Sequence, residues 1–218
     1  GRLALALARN SGLKIYGVES DPAKVAAARK ALVWTGLYGH RITIHEAAAG
    51  EIPYSNYFAN LVVSDTHLLT GRVPVAGEVV AAHLKPCGGA ICLGGTHAFD
   101  DAWRTSLGLS KQSVTTTDKS FTVVERGKLP GAGSWSHQYG DAGNTACSDD
   151  QLIRGGLGVL WFGDPGPGKM VNRHDGAVGP VSTNGRMFIQ GTDSLLAYDA
   201  YNGQFLWEFK NSKAIRTG

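Results

Sequence analysis

A change of residue pattern near position 107 limits what this chain can fold into. Before that point, short apolar runs alternate with helical segments, which is typical of a parallel sheet with right-handed crossovers. After it, the sequence shows only short strand patterns, and most of the 30 glycines lie there, in positions typical of tight turns. We therefore predict an α/β domain followed by an all-β segment.

The first half begins on a helix rather than on a strand. Gly1 precedes a predicted helix, Arg2–Asn10, and Lys14–Glu19 reads as the first strand. Asp21 and Pro22 then start a second helix, as N-cap and first helical residue. Since such a fold normally opens on a strand and a glycine loop, we expect both to precede Gly1. The remaining predictions are strands at Arg41–His45, Asn60–Asp65 and Ala90–Leu93, helices at Val73–Leu84 and near Phe99–Leu107, and an antiparallel hairpin of Ser113–Thr117 with Phe121–Glu125.

Glu19 is the most informative side chain of this half. An acidic residue at the end of the second strand of a doubly wound fold accepts hydrogen bonds from a ribose. The alternative is that Glu19 is a solvated acid that caps the helix after it. Its position at the strand end favours ribose binding.

Four short segments, in the order in which the family's motifs occur, resemble a class I S-adenosylmethionine-dependent methyltransferase. Gly1 stands where the last glycine of the family's cofactor loop would be, and Glu19 where its ribose-binding acid would be. Residues 50–54 (Gly-Glu-Ile-Pro-Tyr) and 60–64 look like the stretch before and through the fourth strand. Residues 84–89 (Leu-Lys-Pro-Cys-Gly-Gly) look like the turn before the fifth. The resemblance covers roughly residues 1–127 and implies a Rossmann-like sheet ending in an antiparallel hairpin.

The resemblance also implies S-adenosylmethionine as cofactor and an unidentified methyl acceptor. Glu19 would hold the ribose, and the backbone near Ala47 and Ala48 would face the adenine. The full set of expected cofactor-binding residues is Gly1, Glu19, Ser20, Ala47, Ala48 and Ser64. Two positions depart from the family: Ala48 replaces a frequent acid at the adenine, and Asn60 replaces the usual Asp before the fourth strand.

Polar residues follow two further predicted strands. Ser64, Asp65 and His67 come after one strand, and Thr96 and His97 come after the next. Both groups fall at the carboxyl edge of the sheet, where open α/β folds bind ligands. Methyl transfer needs an aligned nucleophile and in some cases a base, so Asp65, His67 and His97 are catalytic candidates. The alternative is that each is an ordinary loop residue at the rim.

The second half predicts a four-stranded meander. Its strands are Gly179–Thr183, Arg186–Gln190, Ser194–Asp199 and Gln204–Lys210. Asn184-Gly185 is the strongest hairpin signal among its turns, because a type I′ turn needs positive φ at both central residues.

Residues 197–207, from Ala197 to Trp207, resemble the repeat of a pyrroloquinoline-quinone-like β-propeller, with Asn202 in place of Thr. Asp199 would cap the turn, Gly203 would take positive φ, and Trp207 would pack between blades. We expect residues 1–127 to form the methyltransferase-like domain, 128–134 a linker and 135–218 the incomplete start of a propeller of about one blade. The signature is shared by enzymes and binding scaffolds, and nothing in these residues supports bound quinone.

Composition excludes several function classes. A formal net charge of +3 does not favour nucleic acid, and no apolar run approaches the roughly 20 residues of a membrane span. The three cysteines form no Cys-x-x-Cys pair, so we expect neither a zinc nor a redox site.

Two functions of different class therefore remain open. One is a methyltransferase fused to the propeller segment. The other is a non-catalytic binding or assembly scaffold, with a degenerate nucleotide-type domain and a protein partner on the propeller. A quinone-dependent dehydrogenase ranks last. The two resemblances imply different cellular locations. The cofactor implies the cytoplasm, whereas propellers of this type usually work outside it.

Overall fold

The computed structural model describes residues 1–48, 50–95, 100–109, 112–117, 121–163, 166–171 and 178–212. Five α-helices occur in the described part: α1 Arg2–Asn10, α2 Pro22–Val33, α3 Asp65–Thr70, α4 Gly77–His83 and α5 Asp101–Ser106. The first six strands are β1 Ile15–Glu19, β2 Ile42–Glu46, β3 Leu61–Val63, β4 Ala90–Gly94, β5 Gln112–Thr117 and β6 Phe121–Arg126. A 3-10 helix, Gly166–Lys169, precedes four more strands: β7 Val181–Thr183, β8 Arg186–Gln190, β9 Ser194–Asp199 and β10 Phe205–Lys210.

The first half is a Rossmann-like α/β arrangement built from two β-α-β units. Strands β1 and β2 are parallel, are joined through α2 and form a two-stranded sheet. Strands β3 and β4 are also parallel and are joined through α3 and α4. The β5–β6 hairpin adds antiparallel to β4, which gives the order β3-β4-β6-β5. The predicted α/β class and the terminal antiparallel hairpin are thus confirmed.

Each sheet carries its own helices and apolar core. Helices α1 and α2 pack on β1 and β2 around Val25, Leu32 and Ile42. Helices α4 and α5 lie close together, and the core under α4 includes Leu84 and Ile91. These side chains are almost fully buried, so each sheet buries one covered face.

Local signals explain most helix starts. The Asp21 carboxylate accepts hydrogen bonds from Ala23 N and Lys24 N, and Pro22 is the first helical residue, as predicted. The predicted helix Val73–Leu84 begins later, at Gly77, and Pro74 disfavours helical φ/ψ at Val73 before it. The predicted strand Asn60–Asp65 ends at Val63, since Ser64 caps a helix that the strand pattern did not indicate.

The second half contains the predicted antiparallel meander, in the order β10-β9-β8-β7. Asn184 and Gly185 have φ of 51° and 73°, as a type I′ turn requires. Asp199 Oδ1 accepts hydrogen bonds from Tyr201 N and Asn202 N, and Gly203 has φ of 71°. Trp135 also pairs antiparallel with Ser182 of β7. The turn chemistry is therefore as predicted, and the assignment of this sheet to a propeller blade stays a prediction.

The meander docks on one edge of the first half. Lys85, just before β4, forms a 2.6 Å ion pair with Asp199, and the two side chains are only 12% and 4% exposed. Asn202 reaches Asn60, just before β3. Both contacts lie at the amino ends of parallel strands. The carboxyl ends, where α/β folds bind ligands, face the opposite edge.

Candidate functional site

The carboxyl ends of β1 and β2 bring two groups of predicted cofactor residues together. Glu19 is the register partner of Glu46 at the ends of these parallel strands. One residue further, Ala47 N donates a hydrogen bond of 3.2 Å to Glu19 O. Ser20 and Ala48 are the next residues on the two strands, and both are exposed. Glu19, Ser20, Ala47 and Ala48 thus form one continuous edge.

One oxygen of the Glu19 carboxylate already accepts a hydrogen bond from a nearby backbone amide. Its Oε1 accepts a hydrogen bond of 3.0 Å from Asp21 N, while the side chain stays half-buried. This contact is close to the capping alternative, although Asp21 itself caps α2. Among the described residues, no hydrogen bond to Oε2 is found. Since an ionised carboxylate has about four acceptor sites, Glu19 retains the capacity to accept from a ribose diol.

At Ala48 this edge presents backbone groups and a methyl group. The Ala48 carbonyl accepts a hydrogen bond of 2.9 Å from Glu51 N. Ala48 provides no side-chain acceptor for an amino group, so any base bound there would depend on backbone groups and apolar contact.

Gly1 contacts helix α2. Its carbonyl accepts from Leu5 N at 3.1 Å, and a Cβ on Gly1 would lie 3.3 Å from Ala28 Cβ of α2. The structure therefore connects Gly1 to the helices that cover β1 and β2. It shows no hydrogen bond from Gly1 to Glu19 or Ala47 within the described chain.

Two of the polar side chains that follow β3 form hydrogen bonds with nearby backbone groups. Ser64 Oγ accepts from His67 N at 3.0 Å and caps α3, and Gly71 ends that helix with φ of 74°. His67 is 4% exposed, with Nδ1 3.1 Å from Gly94 O. Because a carbonyl only accepts, Nδ1 carries the proton in that hydrogen bond. Asp65 is exposed in the first turn of α3. Thr96 and His97 lie outside the described residues.

An aromatic cluster, not predicted from the sequence, covers one face of β1 and β2. Tyr54 stacks on Phe58 at 4.5 Å between ring centroids and meets Tyr16 and His45 edge-on at 5.6 and 5.4 Å. We call Tyr16, His45, Tyr54 and Phe58 the aromatic wall. The alternation in β1 and β2 places Tyr16 and His45 opposite the buried Ile42 and Ile44. The wall therefore flanks the edge from the uncovered face.

Tyr54 is the most constrained member of the wall. Its hydroxyl is buried and has no hydrogen-bond partner among the described residues. Burial, and secondarily the neighbouring Tyr16, raises the pKa of Tyr54 to about 12. The only sequence signal for this cluster was the density of aromatic residues between positions 54 and 58.

No cluster of three or more His, Cys, Asp or Glu side chains suited to a metal ion occurs among the residues described. The three cysteines are all free thiols. Within the same residues, none of the helices has the length and apolar character needed to cross a membrane.

Neither a family model nor a curated protein matches the chain. Among solved structures, a protein of Methanococcus maripaludis assigned as an S-adenosyl-L-methionine-dependent methyltransferase is 19% identical, with a TM-score of 0.45. That alignment spans 58% of this chain and 73% of that one. A SAM-dependent methyltransferase of Aquifex aeolicus is 14% identical, with a TM-score of 0.37, over 52% of this chain and 68% of the other. The cyclase SpnF is 16% identical, with a TM-score of 0.40, over 52% and 48%. At these values the likeness does not by itself establish an activity.

Proposed function

We propose that the α/β half binds S-adenosylmethionine and transfers its methyl group to an acceptor nucleophile. The observation that supports this most is the meeting of Glu19 with Ala47 at the carboxyl ends of two adjacent parallel strands. That is the edge at which open α/β sheets bind nucleotide-type ligands. The half-buried Glu19 carboxylate, with acceptor capacity to spare, fits a ribose diol.

In this proposal, each residue of the edge contacts a different part of the cofactor. Glu19 accepts from the ribose hydroxyls, and the hydrogen bond from Asp21 N fixes the carboxylate for that task. The backbone at Ala47 and Ala48 lies against the adenine, with Ser20 beside the ribose. Ser64 follows β3, at the carboxyl end of a strand of the other sheet, and in this proposal it borders the acceptor side. When bound, the cofactor supplies a methyl group activated on a sulfonium.

Asp65 is the base that we propose among the three catalytic candidates. Its carboxylate is exposed at the rim, whereas the His67 ring is buried against Gly94 O. An acceptor that loses a proton on methylation would hand it to Asp65, provided that acceptor binds beyond Ser64. His97 stays a prediction.

The second half adds a surface rather than a reacting group in this proposal. We take residues 1–127 as the methyltransferase-like unit, 128–134 as the linker and 135–218 as the start of a propeller-type segment. All six β10 residues are exposed, among them Phe205, Trp207 and Phe209. An apolar strand at the sheet edge is suited to a further strand or to a protein partner. No quinone is included in the proposal.

A scaffold with a degenerate α/β unit is the second candidate. It is favoured by one observation: the rim side chains are used in local structure, with Ser64 capping α3 and His67 bonded to Gly94 O. In this case the edge would hold no nucleotide, and the meander would bind a protein.

Calorimetric titration of S-adenosylmethionine and S-adenosylhomocysteine into the full chain tests the proposal. We expect micromolar binding, and Glu19→Gln should weaken it about tenfold or more because a charge-assisted hydrogen bond contributes roughly 1.5–3 kcal/mol. Glu46→Gln is the matched control, since it removes the same charge from the register partner of Glu19. Absence of binding to the unmutated chain would reject the proposal and favour the scaffold. Equal losses in both variants would reject the assignment of Glu19 as the ribose acceptor.

A further inference from the structure

Tyr57 adopts a conformation that is rare for its residue type. Its φ is 62°, in the left-handed region, although it is neither glycine nor asparagine. Such a backbone is strained and persists only when its surroundings fix it. Tyr57 lies in the segment 54–60, which connects the aromatic wall to the start of β3.

Three contacts fix Tyr57, and two of them come from distant parts of the chain. Its amide donates a hydrogen bond of 2.9 Å to Ala82 O of α4. The Arg126 guanidinium lies 5.4 Å from the centroid of its ring, within cation–π range. The Tyr201 ring, from the β9–β10 turn, meets it edge-on at 5.3 Å.

Arg126 is itself held in place. Its Nη1 donates to Ala81 O at 2.6 Å and to Leu84 O at 2.5 Å, at the end of α4. The ring of Tyr57 thus contacts both a fixed cation and the docked meander.

The same turn holds the residues after Tyr57. Asn202 Nδ2 donates to Phe58 O at 3.2 Å and to Asn60 Oδ1 at 2.9 Å. The ring of Phe58 faces the other way, against Tyr54 and Tyr16 at 4.5 and 5.0 Å. Phe58 therefore contacts the meander through its carbonyl, while its ring packs within the aromatic wall.

The wall in turn rests on the strands that carry the candidate edge. Tyr16 lies three residues before Glu19 in β1, and His45 lies two residues before Ala47. A shift of Phe58 would loosen Tyr54, and with it the packing on His45. This gives a contiguous chain of contacts from Asn202 to the Glu19–Ala47 edge.

We propose that Asn202 and Tyr201 are positioning residues: by holding the segment 54–60 they seat the aromatic wall and so order the Glu19–Ala47 edge. The ligand that benefits is that of the proposed function, on which this inference rests for its binding arm. The segment transmits docking of the meander to the edge. The backbone of the Glu19–Ala47 edge is better ordered when the meander is docked than when it is not.

Asn202→Asp is the variant that isolates this link. It keeps the Oδ1 that accepts from Gln204 N and so preserves the turn. It replaces the Nδ2 donor with an oxygen that faces Phe58 O and Asn60 Oδ1. Lys85→Gln is the matched control, because it weakens the ion pair with Asp199 at the same interface. Among the described residues, the Lys85 ammonium bonds to Asp199 and to Cys87 O and not to segment 54–60.

Amide hydrogen exchange of the full chain, without ligand, is the first arm. In Asn202→Asp we expect the peptide spanning 54–60 and the peptide spanning 42–48 each to exchange about fivefold faster than in the unmutated chain. In Lys85→Gln, the 42–48 peptide should change less than in Asn202→Asp. Faster exchange confined to 54–60, or equal changes at 42–48 in both variants, would overturn the proposal.

Titration with S-adenosylhomocysteine is the second arm. Asn202→Asp should weaken binding about five- to tenfold, within the usual range of coupling between distant sites, and more than Lys85→Gln does. If the unmutated chain binds nothing, the proposed function fails, and the exchange arm still decides this inference. If binding is normal in the unmutated chain and unchanged in Asn202→Asp, the coupling is absent and this inference alone fails.

Discussion

Asn202 and Asn60, which lie 142 positions apart, are joined by a hydrogen bond of 2.9 Å from Nδ2 to Oδ1. Each residue departs from the pattern that its own half resembles, Asn60 from an Asp and Asn202 from a Thr. An Asp at position 60 would also accept from Asn202, but it would bring a charge to the interface. A Thr at position 202 would lack the length and the two N–H donors of the amide. The Asn202 amide thus joins the two halves through Asn60.

The Lys85–Asp199 pair should contribute strongly to the free energy of unfolding. Asp199→Asn keeps an acceptor for Tyr201 N and Asn202 N but leaves the Lys85 ammonium, 12% exposed, without its counter-charge. We expect a loss of about 3 kcal/mol, because breaking a buried pair from one side leaves an uncompensated charge. Urea denaturation measures it.

Lys169–Glu208 provides the control for that prediction. The pair has a similar distance, 2.7 Å, but its side chains are 51% and 26% exposed. Glu208→Gln should destabilise clearly less than Asp199→Asn, because solvent screens an exposed pair. Equal losses in the two variants would contradict the view that burial makes the Lys85–Asp199 pair important.

Gly185 should tolerate a methyl group less well than Gly36 does. Both have positive φ, 73° and 71°, so Ala at either position carries the same backbone strain of about 1–2 kcal/mol. At Gly36 nothing lies within 4 Å of the added Cβ, whereas at Gly185 it would lie 2.8 Å from Cys87 Cβ. We expect Gly185→Ala to destabilise by about 1–3 kcal/mol beyond Gly36→Ala. Thermal unfolding of the two variants makes the comparison, and equal shifts would place Cys87 away from this turn.

Signals confined to a few residues predicted the fold well. Asp21-Pro22 indicated the start of α2, and Asn184-Gly185 indicated a type I′ turn, because cap and turn chemistry are decided locally. Helix α3 was missed although Ser64 and Gly71 mark its two ends. Its exposed Leu68 and Leu69 give no amphipathic period over so short a length.

Contacts between distant residues were beyond sequence reasoning. The strand-end rule indicated Glu19, and the family resemblance indicated Ala47. The register brings these two residues together, while their roles stay predictions. The aromatic wall and the grip on Tyr57 depend on how a loop folds back across a sheet. Nothing in the local pattern around Tyr54 indicates that its ring meets His45.

The N-cap of α2 should be worth about 1 kcal/mol. Asp21→Ala removes the acceptor of two backbone amides, Ala23 N and Lys24 N, which no other group within the helix can satisfy. Asp21→Asn keeps that acceptor and removes only the charge, so it should restore most of the stability. Chemical denaturation of the three proteins tests this. If the Asn variant is as unstable as the Ala variant, charge rather than capping explains the effect.

Stability should fall at alkaline pH through Tyr201. Burial first, and then Cys87 and Tyr57, raises the pKa of Tyr201 from 10.0 to about 12. Because the unfolded chain loses this proton first, the stabilisation is complete below pH 10 and disappears as the pH rises to 12. Tyr201→Phe keeps the ring against Tyr57 but cannot ionise, so its free energy of unfolding should decline less steeply across that window. Tyr54, with a pKa also raised to about 12, should keep part of the slope in this variant. Urea denaturation in steps from about pH 9 to about pH 12 measures both slopes. Parallel curves for the variant and the unmutated chain would show that the Tyr201 hydroxyl is not held protonated by the docked interface.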